Sequence, residues 1–172
     1  MKFAEAELRQ ITEQTWRVVL GEEIQPCSKS APPGEITDSI AVCAQITGNW
    51  QLAVVLYCST ALARRAAALV FGDDEKATSI DDTCDTMCEL VNIISGNIKG
   101  LLSGSSHLSL PNLVKGQDFR LMFPRHILLS EAAFTYQSEH LLVVLLGEDK
   151  MTSRKESKSS KEAPEKGVTR LS

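Results

Sequence analysis

A carboxylate and a carboxamide, Glu89 and Asn92, stand three residues apart in the segment SIDDTCDTMCELVNIISGNIKGLLSG. A carboxylate can seat a cation, while an amide donates and accepts hydrogen bonds at once and does not titrate, so the pair can anchor a partner and orient a small molecule. The segment reads as one helix. With Glu89 at zero and about 100° per residue, Asp85 falls near 320°, Asn92 near 300°, Gly96 near 340°, Lys99 near 280° and Ser103 near 320°. Met87, Leu90, Val91, Ile94, Ile98, Leu101 and Leu102 fill the arc from about 100° to 220°, a core-facing stripe. The polar arc lies opposite, and its short polar groups, glycine and serine leave room for another surface to approach.

That arc is costly for a helix. Asn92, Asn97, Gly96 and Gly100 in mid-helix each cost a few tenths to ~1 kcal/mol relative to Ala. Two reasons can offset the cost: a docking face with chemistry on it, or close packing of a second element against Gly96 and Gly100. Periodicity does not separate them.

The elements that must position this helix follow from pattern. Residues 4–20 are helix formers with Leu8, Ile11, Thr15, Val18 and Val19 roughly on one face, closed by Gly21. Residues 22–34, with Pro26, Pro32, Pro33 and Gly34, read as a loop. Ile36, Ile40, Val42, Ala44 and Ile46 share a parity, as do Trp50, Leu52, Val54 and Leu56, giving two half-buried strands. Gly48-Asn49 between them suits a two-residue hairpin turn. Ser59 caps an alanine-rich helix that runs to Phe71 and closes at Gly72. Ser79 and Asp82 have capping-box spacing at the start of the long helix. Beyond it lie a short edge strand around 108–114 and strand candidates at 119–123, 127–136 and 141–146, with Pro111 and Pro124 at strand starts or edges. Helix, strands, helices, strands in that order is α+β with an antiparallel sheet.

Composition bounds the rest. At 172 residues and 43% apolar content the chain holds one core of ordinary size, expected over residues 1–148. Its longest apolar runs, such as LLVVLL at 141–146, fall far short of the ~20 residues of a helical membrane span. MKFAEAELRQ has early acids and no apolar core, so no secretory signal is expected. Five cysteines, at 27, 43, 58, 84 and 88, then read as reduced, small apolar residues of a cytoplasmic protein. Net charge is −4, unevenly spread: residues 1–149 carry eleven basic and nineteen acidic groups, and from Lys150 onward seven basic face three acidic. An acidic core argues against nucleic-acid binding. Residues 149–172, rich in Lys, Ser and Glu, read as a disordered basic tail.

The string Asp85-x3-Glu89-x2-Asn92, continued by NIISGN and followed by LSLPNLVKG with Pro111, resembles the signature of the CheC/CheX/FliY chemotaxis phosphatases. The likeness spans 34–147. Only one Glu-x2-Asn helix is present, and the helix around Leu62 to Val70 carries no such pair, which resembles the single-motif CheX type. The gap from Asn92 to Pro111 is several residues shorter than in that pattern. The resemblance implies a CheC-like fold and a phosphatase acting on the phospho-aspartate of a CheY-like response-regulator receiver. It implies that Asn92 orients the attacking water, that Glu89 pairs with the receiver's lysine, and that Asp85 supports docking, with Gly96 and Lys99 on the same partner-binding arc. It implies Mg²⁺ in the receiver and no metal or cofactor in this chain, and a homodimer formed through sheet edges.

Two other classes are compatible with the residues. The same polar arc can serve a non-catalytic receiver-binding or adaptor module. Alternatively, Asp73, Asp74, Asp81 and Asp82 could hold a metal, although such residues ordinarily solvate a linker and favour a helix N-terminus. Glycine-rich phosphate loops, nucleophile elbows and HExxH are absent from the sequence. His107, His126 and His140 are far apart, and Cys84 and Cys88, one turn apart, lack two further converging ligands.

Overall fold

The computed structural model describes residues 4–28, 38–117 and 121–148. Its first element, α1 (Glu5–Leu20), ends where Gly21 turns left-handed at φ 70° and returns its N–H to the Arg17 carbonyl. The buried face of α1 is Leu8, Thr12, Thr15, Trp16 and Leu20, a rotation from the expected face, and Val18 is 76% exposed. Trp16 sets that rotation by packing its ring 5.7 Å from that of Tyr136, while Thr12 turns its hydroxyl back onto the Leu8 carbonyl at 2.8 Å.

Among the described residues, seven antiparallel strands make one sheet. They are β1 (Gln25–Cys27), β2 (Ser39–Gly48), β3 (Leu52–Ser59), β4 (Ser106–Leu108), β5 (Asn112–Gly116), β6 (His126–Tyr136) and β7 (Glu139–Glu148), in the order β1-β6-β7-β3-β2-β4, with β5 also on β2. Between them lie α2 (Thr60–Phe71) and α3 (Ile80–Gly100). One core joins the helices to one sheet face: Leu8 and Trp16, Leu62 and Ala66, and Met87, Leu90 and Ile94 meet the alternating side chains of β2, β3 and β7. This is the α+β, antiparallel architecture that the element order predicts.

Several boundaries differ from expectation. The segment 22–34 contains β1, whose Pro26 is tolerated because β1 is an edge strand paired only to β6; residues 29–34 of that loop lie outside the described residues. Gly48-Asn49 does not form a two-residue turn. Gly48 instead sits at φ 113° opposite Ser106 of β4, where a Cβ would fall 2.6 Å from the Ser105 carbonyl oxygen. The edge strand around 108–114 is two strands interrupted at 109–111. Of the candidate at 119–123, residues 119 and 120 are outside the described residues and 121–123 form no strand. Of the two strands expected to be half-buried, β3 is instead buried on both faces, its second face carrying the short side chains of Ala53 and Val55, whereas β2 is buried on both only over residues 39–42 and exposes Gln45 beyond. A register shift between Leu128 and Ser130 frees Leu129 to cover Gly147.

Candidate functional site

Ser79 starts α3 by accepting the Asp82 N–H at 3.0 Å, and its hydroxyl donates to the Asp82 carboxylate at 2.5 Å. Thr83 closes the same turn by donating to the Ser79 carbonyl at 2.8 Å. Met87, Leu90, Val91, Ile94 and Ile98 are buried as the stripe requires. Leu101 is not part of it: α3 stops at Gly100, and Leu101 is 52% exposed at the C-cap. The helix is thereby clamped over its whole length from one side, and its polar arc faces outward on a rigid backbone.

On that arc Asp85, Glu89 and Gly96 are exposed, and Asn92 and Lys99 half-buried. A Cβ added at Gly96 or Gly100 would meet nothing within 4 Å, so close packing of a described element is not why this helix tolerates glycine there. Ion pairs among the described residues are Arg9–Glu5, Arg17–Glu23 and Arg65–Glu75, and none involves Asp85 or Glu89. The Asn92 amide likewise has no hydrogen-bond partner among the described residues. A carboxylate and an amide on successive turns therefore keep their bonding capacity for something outside the chain.

These side chains line an open groove of about 560 Å³. Asp85, Cys88, Glu89 and Asn92 of α3 form its floor; Val70 and Phe71 at the end of α2 form one wall, and Leu110 with Pro111 the other. Pro111 reaches the groove despite the short connection from α3. Gly96 and Lys99 lie farther along the same arc and do not line it. Sequence reasoning missed Val70, Phe71 and Leu110. The available signal was apolar residues out of phase: two at the end of a helix whose core face is alanine, and one beside a strand-breaking proline.

The thiols in this region are held in their protonated form rather than activated as thiolates. Burial, then the nearby Cys84 and Asp85, push the Cys88 thiol up; burial, then Asp81, do the same to Cys84 despite Lys115. Both stay protonated near neutrality. Among the described residues no three His, Cys, Asp or Glu converge on a metal position. Asp74 instead accepts the Lys76 N–H at 2.8 Å, and Asp82 serves the α3 cap. His107, His126 and His140 are on β4, β6 and β7.

A family model described as chemotaxis phosphatase CheX matches residues 40–134. The chain belongs to the CheX family. The matched stretch runs from β2 into β6 and contains α3 and every residue of the groove. No curated protein matches the chain. Solved structures share the CheX-type fold at low identity. A CheC-like superfamily protein from Shewanella sp. PV-4 aligns with TM-score 0.65 and 13% identity over 81% of this chain and 93% of its own. CheX in the CheX–CheY–BeF₃–Mg²⁺ complex from Borrelia burgdorferi aligns with TM-score 0.60 and 16% identity over 84% and 97%. FliY from Thermotoga maritima aligns with TM-score 0.56 and 13% identity over 95% and 100%. Among the described residues no helix is long and apolar enough to cross a membrane.

Proposed function

We propose that this CheX-family protein hydrolyses the aspartyl phosphate of a CheY-like receiver domain in the cytoplasm. The observation that carries the reading is the pairing of Glu89 and Asn92, free of internal partners, on the floor of a groove that opens outward from a helix held by the core. An open groove cannot enclose a small substrate, but it can meet a second protein that brings the reactive group with it. Glu89 is suited to pair with the receiver's lysine and set the register of docking. Asn92, one turn on, then accepts a hydrogen bond from water and holds it in line with phosphorus. The water oxygen bonds to phosphorus as the acyl P–O bond breaks, giving inorganic phosphate and a restored aspartate. Mg²⁺ belongs to the receiver, as substrate, and neutralises charge on the phosphoryl oxygens; the related CheX structure was solved with CheY, BeF₃ and Mg²⁺ together.

The test is release of phosphate from a labelled receiver. Asn92→Ala should lower turnover by roughly 10²- to 10⁴-fold, the usual range for a positioned catalytic group. Glu89→Ala should weaken both rate and affinity. Neither should lower the melting temperature, because neither side chain belongs to the buried stripe. Near-wild-type turnover by Asn92→Ala would remove the mechanism. If the parent binds a receiver yet never dephosphorylates it, the protein is an adaptor, a reading to which its likeness to FliY lends the fold.

A homodimer belongs to the same proposal. Among the described residues the sheet ends on β1, of three residues, and on β4 and β5, of three and five; β5 and the stretch 126–132 of β6, which β1 leaves unpaired, are outer edge available to a second copy. Light scattering at micromolar concentration that returns the monomer mass would count against it.

A further inference from the structure

We propose that Val70, Phe71 and Leu110 form an apolar clamp that grips an apolar surface of the receiver beside its lysine, and that these three residues set affinity for the partner without touching the chemistry; the role presupposes a receiver as substrate.

Single exposed apolar residues are ordinary on protein surfaces. Here Val70 is 42%, Phe71 50% and Leu110 86% exposed, and all three converge on the groove that holds Glu89 and Asn92. Both walls are fixed before any partner arrives. Ser109 ties Leu110 down with three hydrogen bonds: its N–H donates to the Gln45 carbonyl at 2.9 Å, its hydroxyl accepts the Gln45 N–H at 2.9 Å and donates to the Leu110 carbonyl at 2.8 Å. Phe71 is the last residue of α2, which is closed behind it as the N–H groups of Gly72 and Asp73 return to the Ala68 carbonyl at 2.9 and 3.1 Å. Because the backbone on both walls is already hydrogen-bonded, binding has to order the exposed side chains but not the loops that carry them, which is the economy of a preorganised anchor.

Charge decides what fits between them. Asp85 and Glu89 present two carboxylates with no internal cation, so the occupant must bring a positive group flanked by apolar side chains. That composition describes a protein surface and excludes nucleic acid and small anions. An apolar rim around a polar centre also sheds loose water on contact, which strengthens the ion pair at Glu89 and leaves the amide of Asn92 to govern the water that remains.

The experiment is steady-state dephosphorylation of a labelled receiver, together with the Kd for the same receiver activated by beryllofluoride, for Phe71→Ser, Leu110→Ser and Leu110→Lys. Each variant should raise KM and Kd about tenfold or more while kcat stays within about twofold and the melting temperature holds. Asn92→Ala should show the opposite split. Unchanged KM and Kd in a parent that dephosphorylates the receiver would overturn the clamp and leave the phosphatase reading intact. A fall in kcat with KM unchanged would overturn it too, because the residues would then act in the chemistry. A parent that neither binds nor dephosphorylates receivers removes the reading and the clamp with it. Leu110 is so exposed that its variants cannot fail by unfolding.

Discussion

The indole Nε1 of Trp50 donates to the carbonyl of Ser103 across 2.8 Å, joining the turn before β3 to the chain that leaves α3. Asn49 strengthens the junction by giving its backbone N–H to the Ser105 carbonyl at 3.0 Å. The end of the site helix is thus held by a connection 53 residues away in sequence. Trp50→Phe keeps an aromatic ring against the core and deletes only the donor, so it should cost about 0.5–1.5 kcal/mol. Thermal melts followed by circular dichroism should show a drop of several degrees; an unchanged curve would mean that water replaces the indole at no cost.

Two glycines should respond in opposite senses. Gly96→Ala places a methyl group in open space on a helical backbone and should stabilise by about 0.5–1 kcal/mol. Gly48→Ala forces a side chain into a left-handed conformation and against the Ser105 carbonyl, which should cost at least about 1–3 kcal/mol. Urea midpoints for the two variants read this directly, and a shared direction would mean that the backbone relaxes at one of them.

Stability should fall in alkali for a reason that can be localised. Burial, then the Glu139 carboxylate, push the Cys58 thiol far above its ordinary value of 9.0. A raised folded pKa gives stability that is complete below the unfolded value and is lost as pH climbs from there toward the folded one. The slope is at most about 1.4 kcal/mol per pH unit for one proton. Cys58→Ala should therefore flatten the loss above pH 9, as seen in urea midpoints at neutral and alkaline pH. Equal slopes in parent and variant would place the sensitivity elsewhere.

Truncation after Glu148 should leave melting temperature and receiver dephosphorylation nearly unchanged. The cut spares the bond from the Glu148 N–H to the Gln51 carbonyl that closes β7, and the residues removed carry no apolar pattern. A loss of several degrees would show that the removed segment packs on the domain.

What was legible in the sequence was whatever a local rule could encode. The buried stripe of α3, its Ser79 cap, the Ser59 cap of α2 and the pairing of Glu89 with Asn92 on one arc all follow from spacing within a few residues. Thr15 lies on the buried face of α1 as expected, but the face was misjudged because Thr12 is buried, which no hydrophobic count credits, and because Trp16 is committed to Tyr136 on β6. Gly48 was misjudged because its role is set by Ser105, far along the chain. The walls of the groove stayed hidden for the same reason. Val70, Phe71 and Leu110 have no common periodicity, and only the packing of α2 on α3 and the break between β4 and β5 bring them together.

Apart from Thr86 and Cys88, which touch both, the residues that anchor α3 and those that face outward do not overlap. The helix therefore carries two interleaved texts that natural selection can edit separately. On the proposed mechanism, replacing the amide at position 92 would turn an enzyme into an inert receptor that expresses, folds and melts as before, so descendants of this scaffold could trade catalysis for recognition in a single step. Inventories based on fold or abundance would count both forms alike; turnover is the phenotype that tells them apart.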